Sequence, residues 1–184
     1  MKRLNLFYYI VFLTGCLLVA ACKKESISAF PFESNFFTKR VPEKLGEVSC
    51  ENESLPFPNY QEGDGTANHF GQFHTVLTFC SGEGGVYGDV SGYFEMADGD
   101  RLFVKITMGQ VRFDLPEPHP VYEAYFQDPF EFVGGTGRFA GASGGGMTNS
   151  LVDLFNEDYP FPGPIIPDHQ TDHEWTGTIF LPNG

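Results

Sequence analysis

The chain has 184 residues, a formal net charge of −13 and a sequence pI near 4.6, with 20 Phe against a single Trp. That length suits one domain with a full core, and 11 Lys and Arg set against 24 Asp and Glu exclude the clustered cations that nucleic-acid binding needs. No block of like charge is long enough to act as a solvating tail.

Residues 1–21 open with Lys2 and Arg3 and continue as an apolar run from Leu4 to Ala21 that ends in small residues before a cysteine. The run is marginal for a bilayer span, which takes about 20 apolar residues. It resembles a bacterial lipoprotein signal, in which the cysteine after the small residues is acylated and becomes the mature N-terminus. Two junctions fit, "LTGC" at Cys16 and "VAAC" at Cys22; Cys22 is preferred because Lys23, Lys24 and Glu25 follow at once. The resemblance implies membrane attachment through the N-terminal lipid, at the outer membrane and facing the periplasm or the cell surface. Loss of Lys2 and Arg3 takes the side-chain charge from −13 to −15. Residues 22–44 show no sustained period of two or 3.6, and are expected to form a tether despite four Phe, unusual in a solvated linker.

Residues 45–184 are expected to form one β domain. Cys50 and Cys80 remain after processing, with no CxxC. In an oxidising compartment such a pair reads as a disulfide before a metal site, with two separate buried thiols as the alternative. Strand patterns run from residue 66 onward, with candidates at residues 69–80, 86–96, 121–127, 130–133, 147–155 and 175–181. "RLFVKITM" places Leu102, Val104, Ile106 and Met108 on one face. A three-residue loop, Asp98 to Asp100, would set Met96 opposite Leu102 and Phe94 opposite Val104. A two-residue turn at Gly109-Gln110 would fold Val111, Phe113 and Leu115 back onto the same face. Short strands, tight turns and no helix with a consistent apolar stripe indicate an antiparallel sandwich or barrel.

The stretch "GGTGRFAGASGGG" at residues 134–146 lacks the Lys of a phosphate loop, and glycine follows where a dinucleotide fold needs a helix. It is read as architecture: a strand ends at Gly134-Gly135, one helical turn is capped by Thr136 and closed by Gly141, and Phe139 plugs a barrel end beside Gly137 and Arg138. "YPFPGPIIP" (Tyr159 to Pro167) reads as a loop over a barrel mouth, since its prolines cannot donate to a ladder. In "PDHQTDHEW", Asp168, His169, Asp172, His173 and Glu174 have the residue types of a metal site but no helix to gather them; a solvated loop is the expected form. His69 and His74 fall on opposite faces of one expected strand, Glu95 falls outward, and Ser143 and Ser150 have no nucleophile elbow. No catalytic residue, metal or cofactor is assigned.

"VGGTGRFAGASG", with "GDGTANHFGQFHTV" upstream and "WTGTIFL" at the end, resembles allene oxide cyclase, dirigent proteins and related small bacterial barrels over about residues 62–182. The resemblance implies an all-β, eight-stranded antiparallel barrel able to enclose one small hydrophobic ligand, and a homo-oligomer is compatible with it. No active-site residue of the plant enzymes is carried over to this chain. Three readings remain at this stage: a lipoprotein barrel that binds a small apolar ligand or serves as an interaction module, an isomerase or cyclase using the same cavity, and a barrel filled by its own phenylalanines that works through its outer surface. An inward Glu, His or Tyr with a shifted pKa would favour the enzyme.

Overall fold

A computed structural model describes residues 26–154 and 170–182. Cys22 and the proline-rich segment lie outside them. Ten strands occur among the described residues: β1 (Ile27–Arg40), β2 (Phe57–Ala67), β3 (Gly71–Ser81), β4 (Val86–Met96), β5 (Arg101–Gln110), β6 (Ala124–Phe126), β7 (Pro129–Gly135), β8 (Ser143–Met147), β9 (Ser150–Asp153) and β10 (Gln170–Pro182). The order β1-β2-β3-β4-β5-β7-β8-β10, with β10 returning to β1, closes an eight-stranded antiparallel barrel. β9 pairs with the other end of β10 in the register β8 uses, and β6 pairs with β9 in the register of β7 on β8. Each pair therefore acts as one interrupted wall strand. The interruptions face one another, where Thr148 N–H donates to the Asp128 carbonyl (2.9 Å) and Asp128 N–H to the Thr148 hydroxyl (2.8 Å).

The expected tether is a strand. Residues 27–39 pair with residues 182–170 along the whole of β10, and Phe32, Ser34, Phe36 and Thr38 are buried inside. Alternation is present but masked, because the inward row mixes two hydroxyl residues with the rings while Phe37 faces outward. β2 was also unanticipated, since Asn59 and Gln61 are its buried inward positions. The expected Gly109-Gln110 turn does not form. Gly109 lies inside β5 opposite Tyr87, and a Cβ there would stand 2.3 Å from the Tyr87 ring, so this glycine serves close approach rather than a turn. Residues beyond Gln110 leave the strand, and Arg112 bridges to Tyr125 instead. Leu102, Val104 and Ile106 are buried as expected, but Met108 is 58% exposed, lining an outer groove with Leu55. The β4–β5 loop is one position earlier than expected: Met96 N–H bonds the Asp100 carbonyl (2.9 Å), which sets Phe94 opposite Leu102. A shift of two residues keeps every face.

Cys50 and Cys80 form a disulfide with Cα atoms 5.7 Å apart, tying the segment before β2 to β3. The 30-residue separation gives a chain-entropy contribution of about 3.6 kcal/mol.

The glycine stretch is the architectural element expected. A single 3-10 turn, Gly137–Phe139, follows β7 and presses Phe139 into the core at 0% exposure. Thr136 does not cap it; its hydroxyl instead accepts the Arg101 N–H (2.8 Å). Gly137 has φ 53, and a Cβ would lie 1.7 Å from the Asp100 carboxylate, which accepts the Arg138 N–H (3.0 Å). No side chain fits there. Above the turn the barrel is filled by its own rings: Phe32 meets Phe132 edge-on at 4.9 Å, and Phe94 meets Phe73 at 4.8 Å.

Candidate functional site

That aromatic packing fills only one half of the barrel. Toward the other end the interior opens into a cavity of about 360 Å³, at the lower end of the roughly 300–1,000 Å³ found for ligand sites. Trp175 and His173 on β10 form its floor, above the ring-filled half. Leu77, Phe79, Val90, Ile106, Phe126 and Val152 supply an apolar wall, and Phe57 and Phe113 stand at the mouth, 50% and 58% exposed. Among the described residues, no Asp or Glu lines the cavity. Tyr87 also lines it, with its hydroxyl turned to the Asp128 carboxylate (2.8 Å); burial first, then that carboxylate, pushes the phenol well above its ordinary pKa.

β10 explains how the floor arises. The segment expected as a solvated loop is strand from Gln170 onward, so side chains alternate: Asp172 and Glu174 point outward, while Thr171, His173 and Trp175 are buried within. Asp172 accepts the Tyr122 hydroxyl and Glu174 faces Asn149. The alternation separates the residues weighed as a metal set; Asp168 and His169 lie outside the described residues. Among the described residues, no three His, Cys, Asp or Glu side chains converge as a metal site. His69 sits in the β2–β3 turn, off the strand expected to carry it, and His74 pairs on the outer surface with Asp64 (3.0 Å). Glu95 faces outward and bonds Arg101 (2.5 Å). Ser143 is exposed, whereas Ser150 is buried beside His173.

A single hydrogen-bonded chain runs beneath the cavity, and its direction follows from donor counting. The Thr38 hydroxyl donates to Gln61 Oε1 (2.8 Å), so at 3.0 Å from His173 Nε2 it can only accept. Nε2 therefore carries the imidazole proton, and Nδ1 accepts from the Ser150 hydroxyl at 2.8 Å. Ser150 in turn accepts the Trp175 indole N–H at 3.3 Å. His173, 3% exposed and stacked on Phe36 at 4.2 Å, is neutral: burial holds its pKa down, to about 3. Both ring nitrogens are occupied, as are the Trp175 and Ser150 protons. The floor is polar yet internally satisfied.

The cavity residues were not anticipated as a group. A signal existed in Thr171, His173 and Trp175, which follow the period of two that a strand begun at Gln170 would impose. Comparison with protein-family models, curated proteins and solved structures yields no match for this chain.

Proposed function

We propose that the chain is an extracytoplasmic lipoprotein, anchored through Cys22, whose barrel binds one small, largely apolar ligand in the half its own side chains leave open. The observation that carries this reading is the cavity: a barrel serving only as an interaction module has no need of an unfilled half, since empty apolar volume costs stability. That no carboxylate among the described residues lines the cavity favours an uncharged or anionic guest over a cation.

The competing enzymatic reading draws on His173, an inward group with a shifted pKa at the cavity base. A base of pKa about 3 is too weak to take a proton efficiently near neutrality, and both its nitrogens are engaged. The shift has burial as its cause, so His173 is assigned to the floor's structure.

The fold also bears on orientation. β1 begins at Ile27, opposite Pro182 at the Phe139 end, and finishes at Arg40, which lines the cavity. Fourteen residues at about 3.3 Å each, tilted by roughly 35–45°, separate these ends by about 30–35 Å along the axis. An anchor at Cys22, five positions before Ile27, holds the plugged end toward the membrane and the mouth toward the aqueous phase. Cys22→Ser is expected to abolish palmitate labelling and release the protein from the membrane fraction. Labelling that survives in Cys22→Ser and disappears in Cys16→Ser would overturn the assignment.

Ligand binding is tested by native mass spectrometry of protein purified from its own membranes, together with calorimetric titration of naphthalene. Val90→Phe, which projects a ring into the cavity, is expected to expel any retained compound and weaken naphthalene at least tenfold without lowering the melting temperature. Equal naphthalene affinity in the two proteins would place binding elsewhere.

A further inference from the structure

We propose that the outer wall built by β7, β8, β10 and β1 rests on a lipid bilayer at the plugged end, so that the barrel lies tilted on one flank; the proposal rests on the lipoprotein reading above. Outward positions of this wall are apolar and open: Ile27, Val133, Met147 and Phe180 are between 40% and 65% exposed. The register makes them neighbours. Phe180 lies between Ala29 and Ser143, Ile27 lies opposite Pro182, and Met147 lies opposite Thr176. Val133 follows Glu131 by two residues on β7, and so shares the outward face on which Glu131 meets Gly145. Between Phe180 and Val133 runs "SGGGM", whose glycines leave the wall flat. Charged residues make up 19% of the chain, yet residues 27–31, 129–135, 143–147 and 176–182 carry only Glu131, and that carboxylate lies opposite Lys105. This wall is selectively stripped of charge.

The occupant follows from where the chain leads. β1 takes up most of the expected tether, and only Lys23 to Ser26 separate Cys22 from Ile27. At no more than about 3.6 Å per residue, Ile27 stays within about 18 Å of the acylated cysteine. Ile27 is itself part of the apolar wall, so the anchor brings that wall to the surface. A weak contact is then enough, because tethering makes it intramolecular. Lys23 and Lys24 add attraction to anionic headgroups. The opposite flank is suited to water: directly across the ring from β8 lies β3, whose His74 bonds Asp64, and β4 beside it presents Glu95 to Arg101. A second copy of the chain would need matching side chains and hydrogen-bonding groups along β8, where there are glycines. Fluid lipid needs neither.

The test uses the full acylated protein in phosphatidylcholine–phosphatidylglycerol vesicles that carry doxyl groups high on the acyl chains. A fluorescent label is attached, in separate proteins, through Phe180→Cys, Val133→Cys or Gln72→Cys; Gln72 is exposed on β3 at the same end of the barrel. Quenching at positions 180 and 133 is expected to exceed that at 72 at least threefold. Phe180→Glu is expected to cut quenching at 133 at least threefold without lowering the melting temperature, and the comparison of 133 with 72 stands even where that variant does not fold. Equal quenching at 180 and 72 would mean an upright barrel and overturns the proposal. Labels at 180 and 133 that escape doxyl quenching also overturn it, whether they are open to iodide in the aqueous phase or shielded by a second copy. Flotation reads the anchor separately. Protein that floats with the vesicles unquenched leaves the lipoprotein reading standing, and protein that does not float overturns both.

Discussion

Phe139→Ala is expected to lower the unfolding free energy by about 3–5 kcal/mol, the range for emptying a fully buried Phe site. The ring is 0% exposed, meets Phe70 edge-on at 5.3 Å, and sits at the end of the barrel opposite the cavity. Collapse around the void is limited on two sides. The 3-10 turn carrying residue 139 is pinned by Asp100, whose carboxylate fills the space over Gly137, and Gly135 already lies against the Phe139 backbone. Arg138→Ala, one residue away and half-exposed, should cost under about 1 kcal/mol, because its contact with Asp98 is a 3.6 Å surface pair. Urea denaturation of both variants separates the roles. A Phe139→Ala protein as stable as the parent would remove the plug from the account of this barrel, and a wild-type melt raised by ATP or NAD would reopen the phosphate-loop reading of the glycines.

The strands most legible in the sequence, β4 and β5, have a mostly apolar inward row. Phe94 and Met96 on β4, and Leu102, Val104 and Ile106 on β5, alternate with outward neighbours and are buried as the period of two requires. β1 and β2 were missed for a reason tied to the site. Ser34, Thr38, Asn59 and Gln61 occupy their inward positions, because β10, β1 and β2 carry the polar side of the barrel interior. A hydropathy pattern equates inward with apolar, so the wall that departs from that rule reads as linker. His173 was lost similarly: Asp172 and Glu174, its outward neighbours, gave the segment the composition of a loop. Gly109 was misjudged because a glycine that lets Tyr87 approach has the same letter as one that makes a turn. The Gly137-Arg138-Phe139 turn was legible because its chemistry is local: a left-handed residue beside a large ring admits few arrangements.

Acid should destabilise the barrel through His173. In the unfolded chain this imidazole takes a proton near pH 6.5, whereas burial holds the folded value down, to about 3. Between those two values the unfolded state binds the extra proton, so stability falls as pH falls, at up to about 1.4 kcal/mol per pH unit. Above about pH 6.5 both states are neutral at this site and the contribution is constant. Accumulated down to pH 3 the loss reaches about 4–5 kcal/mol, comparable with the whole margin of many domains. Among the described residues no carboxylate faces the ring to offset it: its nitrogens meet the Thr38 and Ser150 hydroxyls, it packs on Phe36, Phe126 and Trp175, and the neighbouring Asp172 and Glu174 point outward. His173→Gln supplies the control. Its amide oxygen can accept from Ser150 and its amide nitrogen can donate to Thr38, reproducing the direction of the chain without a titrating group. Urea denaturation of both proteins from pH 7.5 to 4 should give curves that run parallel above pH 6.5 and diverge below it, with the wild type losing stability faster by close to 1.4 kcal/mol per unit. Curves that stay parallel down to pH 4 would mean that His173 is protonated in the folded barrel, which would reverse the assigned hydrogen-bond direction and return the imidazole to the list of groups able to act on a ligand.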